Sequence, residues 1–137
     1  MKSYQHTQNA TELVVVMALI SLVSAVAAVL LPWCLITTVL TAFAAWLFRS
    51  LTVEITDTEL RWWFGPGWVA KRVALSEIAS ARVVRTSFPE GWGIHYSRFG
   101  WLYNVQGFGA VAISLRNGKR FCLGSDEPEA LASALNG

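Results

Sequence analysis

Apolar and polar residues follow two different patterns along the chain, and the change falls near residue 50. Between Leu13 and Phe48 there are 36 residues without a charge. From Ser50 onward apolar and polar residues alternate with a period of two, as in residues 51–55. A charge-free run of this length is typical of membrane helices, and alternation is typical of half-buried strands. The sequence therefore predicts a helical membrane segment followed directly by a mainly-β domain.

Pro32 divides the charge-free run into two parts, residues 13–31 and 33–48. A single helix of this length would extend about 54 Å, whereas the hydrocarbon core of a bilayer is about 30 Å thick. Proline is disfavoured inside a helix and suits the first turn of a new one. The sequence therefore predicts a transmembrane helical hairpin, with the lipid bilayer as a partner. Indole rings and a snorkelling arginine near the helix ends predict three membrane-interface anchors: Trp33, Trp46 and Arg49.

The distribution of positive charge predicts the orientation of this hairpin. The connection between the two spans holds no Lys or Arg, whereas Lys2 precedes the first span and Arg49 follows the second. By the positive-inside rule both termini then lie in the cytoplasm, residues 1–12 forming a cytoplasmic tail. The expected location is the inner membrane, with a multi-pass topology.

Three other interpretations of the apolar run were weighed against spanning. Residues 25–27 match a signal-peptidase site, but apolar sequence continues for about 20 residues beyond it. Buried helices of a soluble protein normally carry a polar face, and a re-entrant loop needs protein to cover its backbone. Small residues at helical spacing, Ser21, Ala25 and Ala28 in one helix and Thr41 and Ala45 in the other, favour close packing of the helices with each other or with a partner. The alternative is that alanine is simply a common helix former. The threonines also leave open a pore built by an oligomer, although neither span holds a charge that marks an ion path.

Residues 50–137 predict a mainly-β domain that ends in a helix. Six strands can be recognised from alternation and turn residues, and a seventh is expected between Phe88 and Gly109. Asn117-Gly118 predicts a hairpin turn in which both residues have positive φ. Asp126 as N-cap and Glu129 in capping-box position predict the start of the C-terminal helix. The expected fold is a bent sheet or small barrel of about seven strands, plugged by that helix.

The chain as a whole resembles bacterial membrane proteins in which a two-helix hairpin precedes a pleckstrin-homology-like domain. The resemblance rests on the order of five segments: Leu51 to Ile55, Phe64-Gly65-Pro66-Gly67, Gly91-Trp92-Gly93-Ile94, Ala110 to Lys119 and Gly124 to Leu131. It implies a cytoplasm-facing interaction module. Members that bind phosphoinositides carry clustered Lys and Arg around the first hairpin, whereas the turn here is Thr56-Asp57-Thr58.

An aromatic and glycine-rich segment, residues 88–109, is the first candidate site. Its rings and neighbouring polar groups predict a lip that holds a protein partner: Trp92, His95, Arg98, Trp101 and Tyr103. The alternative is that half of the rings fill the core of the sheet while the glycines turn corners.

Basic residues on the first strands of the domain form the second candidate site. They predict a surface for anionic lipid: Arg61, Lys71, Arg72, Arg82 and Arg85. The alternative is a solvated strand face, since Glu54, Glu59 and Glu77 lie close in sequence.

Composition narrows the function classes further. The chain is 54% hydrophobic and 15% charged with a net charge of +2, which is too small a charge to predict a nucleic-acid partner. Cys34 and Cys122 lie far apart and predict neither a disulfide nor a metal site. The sequence predicts no metal, no cofactor and no catalytic motif. We therefore expect a non-enzymatic scaffold or regulator for a protein partner or a homo-oligomer, with anionic-lipid sensing as the alternative.

Overall fold

The computed structural model of the protein describes residues 4–86, 93–98, 100–105 and 107–136. Its helices are α1 (Thr11–Ala27), α2 (Cys34–Leu47) and α3 (Pro128–Asn136). Its strands are β1 (Tyr4–Asn9), β2 (Ser50–Ile55), β3 (Glu59–Phe64), β4 (Val69–Ala74), β5 (Ile78–Arg85), β6 (Gly93–Ser97), β7 (Gly100–Asn104), β8 (Gly109–Leu115) and β9 (Arg120–Gly124). A one-turn 3₁₀ helix, Leu75–Glu77, joins β4 to β5.

The strands form two sheets. The first has the order β1-β2-β3-β4 and the second β5-β8-β9-β7-β6. Every described pairing is antiparallel except that of β7 with β9. Strands β1 and β2 pair from Tyr4 opposite Ile55 to Asn9 opposite Ser50, although α1 and α2 lie between them in the chain. The helical hairpin is therefore an insertion between two neighbouring strands of the first sheet.

The core lies between the two sheets and is closed by α3. Every second residue of β3 is buried because the side-chain period of a strand is two, and four of the six residues of β2 are buried. Trp62 of β3 stacks on Phe121 of β9 with ring centroids 4.9 Å apart, and it meets Tyr103 of β7 edge-on at 5.4 Å. Leu131 of α3 is fully buried in the same cluster. One continuous core therefore links both sheets and the C-terminal helix.

The prediction of a transmembrane hairpin is wrong. The helices contain 17 and 14 residues, because residues 28–33 form a turn-rich connection rather than a continuation of either α-helix. At 1.5 Å per residue they extend about 26 Å and about 21 Å, less than the roughly 30 Å of a hydrocarbon core. Among the described residues, none of the helices combines the length and the apolar character that crossing a bilayer requires. The expected multi-pass location in the inner membrane, with both termini cytoplasmic, is corrected by the same finding.

The expected β architecture also differs from the structure. The sequence predicts about seven strands in one bent sheet or barrel, whereas the described residues form nine strands in two open sheets of four and five. Strand β1 comes from residues that we placed in a tail, and β6 and β7 come from a segment whose glycines obscure the alternation. The pleckstrin-homology-like identity of the domain stays a prediction.

Candidate functional site

The surface of the helical hairpin is the first candidate site. Small side chains lie between its two helices, and large apolar side chains lie on the outside. The seam between α1 and α2 holds small and hydroxyl side chains: the Ser21 and Thr41 hydroxyl groups lie 2.6 Å apart, and Ser21 also donates to the Thr38 carbonyl oxygen at 3.4 Å. Small residues let two helix backbones approach closely. The large aliphatic side chains consequently lie on the outside of the hairpin.

These outer side chains make one extended apolar surface, which we call the hairpin surface. Of the 21 large hydrophobic residues that are exposed in the described part of the chain, 17 lie between Val15 and Trp46. Val23 of α1 is 68% exposed and Val39 of α2 is 65% exposed. A contiguous apolar patch beyond a few hundred Å² marks an interaction site, since water is a poor solvent for it. The hairpin surface is therefore the candidate interaction site.

Three aromatic rings stand at the base of the hairpin. Trp46 of α2 meets Trp68 edge-on with centroids 5.1 Å apart, and Phe43 lies 6.0 Å from Trp68. Trp68 belongs to the turn between β3 and β4 and is 69% exposed. The guanidinium of Arg49 lies 5.6 Å from the Trp46 ring, a cation–π distance. This cluster fixes the hairpin against the first sheet and continues the hairpin surface onto the β domain.

The structure separates the three residues that were predicted as membrane-interface anchors. Trp33 lies in the connection between the helices and is 71% exposed, whereas Trp46 and Arg49 lie together at the base. The predicted role of these residues in a bilayer depended on the transmembrane spans. Their observed contacts are instead those of a hairpin mounted on a sheet.

The basic residues predicted for anionic lipid divide between two regions. Arg61, Lys71 and Arg72 line one open groove of about 730 Å³ on the first sheet, together with Glu54, Trp62, Trp63 and Ala70. Arg82 and Arg85 lie on β5 in the second sheet. The side chain of Arg85 lies over the Phe108 ring at 6.0 Å. The structure therefore brings together three of the five predicted residues.

The charges in this groove are only partly balanced. Arg61 Nη2 donates to Glu54 Oε2 at 2.6 Å, and Arg61 Nε lies 3.5 Å from Glu59 Oε1. Within the described part of the chain, Lys71 and Arg72 form no ion pair, and both are exposed. Among the described residues, the groove therefore presents two cations without an ion pair beside the half-buried ring of Trp63.

The aromatic segment does not form the expected lip as a unit. Tyr103 packs against Trp62 and Phe121 in the core. Trp101 is exposed and meets Tyr96 edge-on at 5.7 Å. Arg98 donates from Nη2 to the Arg85 carbonyl oxygen at 3.0 Å.

The other two residues of the expected lip are not placed by these contacts. Trp92 lies outside the described residues, and for His95 only the backbone in β6 is described. Among the predicted residues with described side chains, Trp101 and Arg98 are the exposed ones.

A polar cluster that sequence reasoning missed ties β1 to the start of α3. Tyr4 donates its phenol proton to Glu127 Oε1 at 2.6 Å, and His6 Nε2 lies 2.5 Å from Asp126 Oδ1. Burial, reinforced by the hydrogen bond to Glu127 and its charge, raises the pKa of Tyr4. Residues 4–9 show no apolar alternation, since Tyr4 is the only large nonpolar side chain among them, and the sequence therefore predicts a tail there. In the part of the chain that the structure describes, no group of three or more His, Cys, Asp or Glu side chains is arranged to hold a metal ion.

Comparison of the chain with protein families, with curated proteins and with solved structures gave no match. The site therefore rests on its own geometry.

Proposed function

We propose that the protein is a non-enzymatic assembly module, in which a β domain presents an apolar helical hairpin to the hairpin of a second copy. The proposal rests on the distribution of side chains in the hairpin. Small residues lie between the two helices, and 17 large apolar side chains are exposed. An interface of standard size uses about 20–30 residues on each side. The 17 exposed residues of the hairpin are therefore close in number to one side of such an interface.

A second copy fits this surface because the hairpin is uncharged. Residues 13–48 hold no Lys, Arg, Asp or Glu, so two copies related by a two-fold axis meet without like-charge repulsion. Two antiparallel helix pairs pack as a four-helix bundle, and the roughly 21–26 Å helices give a bundle of three to five turns. Short helices of this length suit a protein–protein core.

Co-purification of two differently tagged full-length copies, expressed together and extracted in nonionic detergent, tests this function. For the double variant Val23→Glu, Val39→Glu we expect the second copy to co-purify only at the level seen without an affinity tag. Two charges placed in an apolar interface are costly to desolvate. Val83→Glu is the matched control, since Val83 is exposed on β5 and lies outside the hairpin. Far-UV circular dichroism of each variant checks that the fold is retained.

The wild type and the Val83→Glu control should each retain the second copy, and the double variant should lose it. Failure of wild-type copies to co-purify would contradict the proposal. Flotation of the full chain with neutral phosphatidylcholine vesicles, without co-purification, would show that lipid rather than a second copy covers the hairpin.

A further inference from the structure

Among the described residues, strand β4 is an edge strand of the first sheet. In the described part of the chain it pairs with β3 alone. Hydrogen bonding alternates along an antiparallel pair, and the Leu75 N–H donates to the Thr58 carbonyl oxygen at 2.9 Å. By that alternation, the backbone N–H and C=O groups of Ala70, Arg72 and Ala74 point away from β3. An unpaired row of this kind is a template for another strand.

A row of charges across the sheet ends at this edge. Glu54 of β2 lies opposite Arg61 of β3, which lies opposite Arg72 of β4. Glu54 and Glu59 both lie against Arg61, so among the described residues Arg72 ends the row without an ion pair of its own. Like charges directly opposite each other on a sheet are unfavourable. A carboxylate on a strand added beside β4 would lie opposite Arg72 and complete the row.

The next row leaves space for a large side chain. Trp63 lies opposite Ala70, whose methyl group covers little of the indole ring. The same groove contains both residues. A large apolar side chain two positions from the carboxylate would fill the space beyond Ala70 and contact Trp63.

We propose that β4 binds an extended acidic segment of a partner protein by strand addition, with carboxylates facing Arg72 and Lys71. A second copy is disfavoured as the occupant, because pairing β4 with itself would bring its own cations together. Cations along an edge also oppose pairing with neutral or basic strands, which gives the site selectivity. The site lies outside the hairpin surface and does not depend on the proposed function.

A synthetic peptide tests the charge requirement. The probe is fluorescein-labelled Thr-Val-Glu-Glu-Leu-Val-Thr, acetylated and amidated, and its affinity for the full chain in nonionic detergent is measured by anisotropy. We expect Arg72→Glu to weaken binding by about tenfold, because a hydrogen-bonded charge pair becomes a repulsive one. Lys119→Glu is the matched control, because it makes the same charge change on an exposed residue beside the β8–β9 turn and should change affinity less than about twofold. The same peptide with both glutamates replaced by glutamine should bind about tenfold more weakly.

A proline variant tests the backbone requirement. Ala74 has φ −66° and ψ 136°, which proline adopts without strain, and its N–H points away from β3. We expect Ala74→Pro to lower the affinity for the peptide by about fivefold, because one hydrogen bond at the strand edge is lost. Ala74→Val keeps the N–H and should bind like the wild type, while thermal unfolding checks that both variants fold.

Three results would overturn the proposal. The first is equal affinity for the glutamate and glutamine peptides, which would remove the charge requirement. The second is full affinity in Ala74→Pro, which would exclude strand addition. The third is a chain that does not bind the peptide but floats with phosphatidylglycerol vesicles, with less flotation in Arg72→Glu. This result would assign the groove to anionic lipid.

Discussion

Gly65 connects the β domain to the hairpin through a close contact of backbones. Its φ is +47°, and a Cβ at this position would overlap the Leu47 carbonyl oxygen at the end of α2. Glycine is the residue that adopts this conformation without a steric penalty. The turn that carries Trp68 can therefore lie directly against the base of the hairpin.

We expect Gly65→Ala to lower the free energy of unfolding by about 3 kcal/mol, since it adds steric overlap to an unfavourable φ. Gly118→Ala is the control: its φ is +89°, but nothing lies within 4 Å of the added Cβ. That variant should lose only about 1 kcal/mol. Chemical denaturation measures both, and equal losses would show that the contact with α2 is unimportant.

The phenol of Tyr4 makes the free energy of unfolding depend on pH. Burial first, and then Glu127, raises the pKa of its phenol, so the folded state favours the neutral form. The corresponding stability is complete below the ordinary pKa of about 10 and is lost as pH rises through the higher folded-state value.

The free energy of unfolding should therefore fall above about pH 10, and Tyr4→Phe should make that fall shallower. Part of the slope will remain, because burial also raises the pKa of Tyr103. Tyr96→Phe serves as the comparison, since its ring is 74% exposed. Urea titrations between pH 8 and pH 11 measure the slopes; identical slopes for the wild type and Tyr4→Phe would contradict this account.

Local sequence signals predicted the positions of turns better than the backbone geometry of those turns. Asn117-Gly118 does lie in the turn between β8 and β9, but positive φ occurs only at glycines among the described residues. The Gly118 N–H donates to the Leu115 carbonyl oxygen at 3.0 Å, so the turn is centred one residue earlier than expected. Asp126 likewise turns toward His6, and the Ser125 hydroxyl accepts from the Glu127 N–H at 3.0 Å. The β8–β9 turn is closed by local hydrogen bonds, whereas the contact of Asp126 with His6 is long-range and sequence spacing does not contain it.

At the scale of elements, periodicity located most strands and the three helices. Strands β2 to β5, β8 and β9 coincide with the predicted segments, and the alternation is clearest in β3, where every second residue is buried. Strand β1 was missed because its partner, β2, lies about 45 residues away in the chain. The lengths of α1 and α2 were overestimated because an uncharged sequence does not mark where a helix ends.

Helix α3 is the element on which closure of the core depends. Leu131 is fully buried between the sheets, whereas Glu129 on the same helix is exposed. We expect Leu131→Ala to cost about 2–5 kcal/mol by loss of apolar burial and creation of a cavity. Glu129→Ala should cost less than about 0.5 kcal/mol. Thermal unfolding followed by tryptophan fluorescence compares the two variants, and a similar small loss in both would mean that α3 is peripheral.

At the scale of the whole molecule, the insertion of the hairpin between β1 and β2 explains how it is held. Both strands belong to one sheet, and the Ala10 N–H donates to the Arg49 carbonyl oxygen at 2.8 Å where the helices leave it. Both ends of the hairpin are thus anchored by backbone hydrogen bonds. A rigid base lets an apolar surface be presented in one orientation, which a symmetric interface requires.

Cysteine crosslinking in intact cells tests most directly whether a second copy covers the hairpin. Single cysteines replace Val23 or Val39 in a Cys34→Ser background, with Val83→Cys as the exposed control outside the hairpin; native Cys122 is fully buried. After mild oxidation, we expect disulfide-linked dimers of the full chain from at least one hairpin position and none from Val83→Cys. Absence of dimers at both hairpin positions, in chains that carry an accessible thiol, would contradict the account.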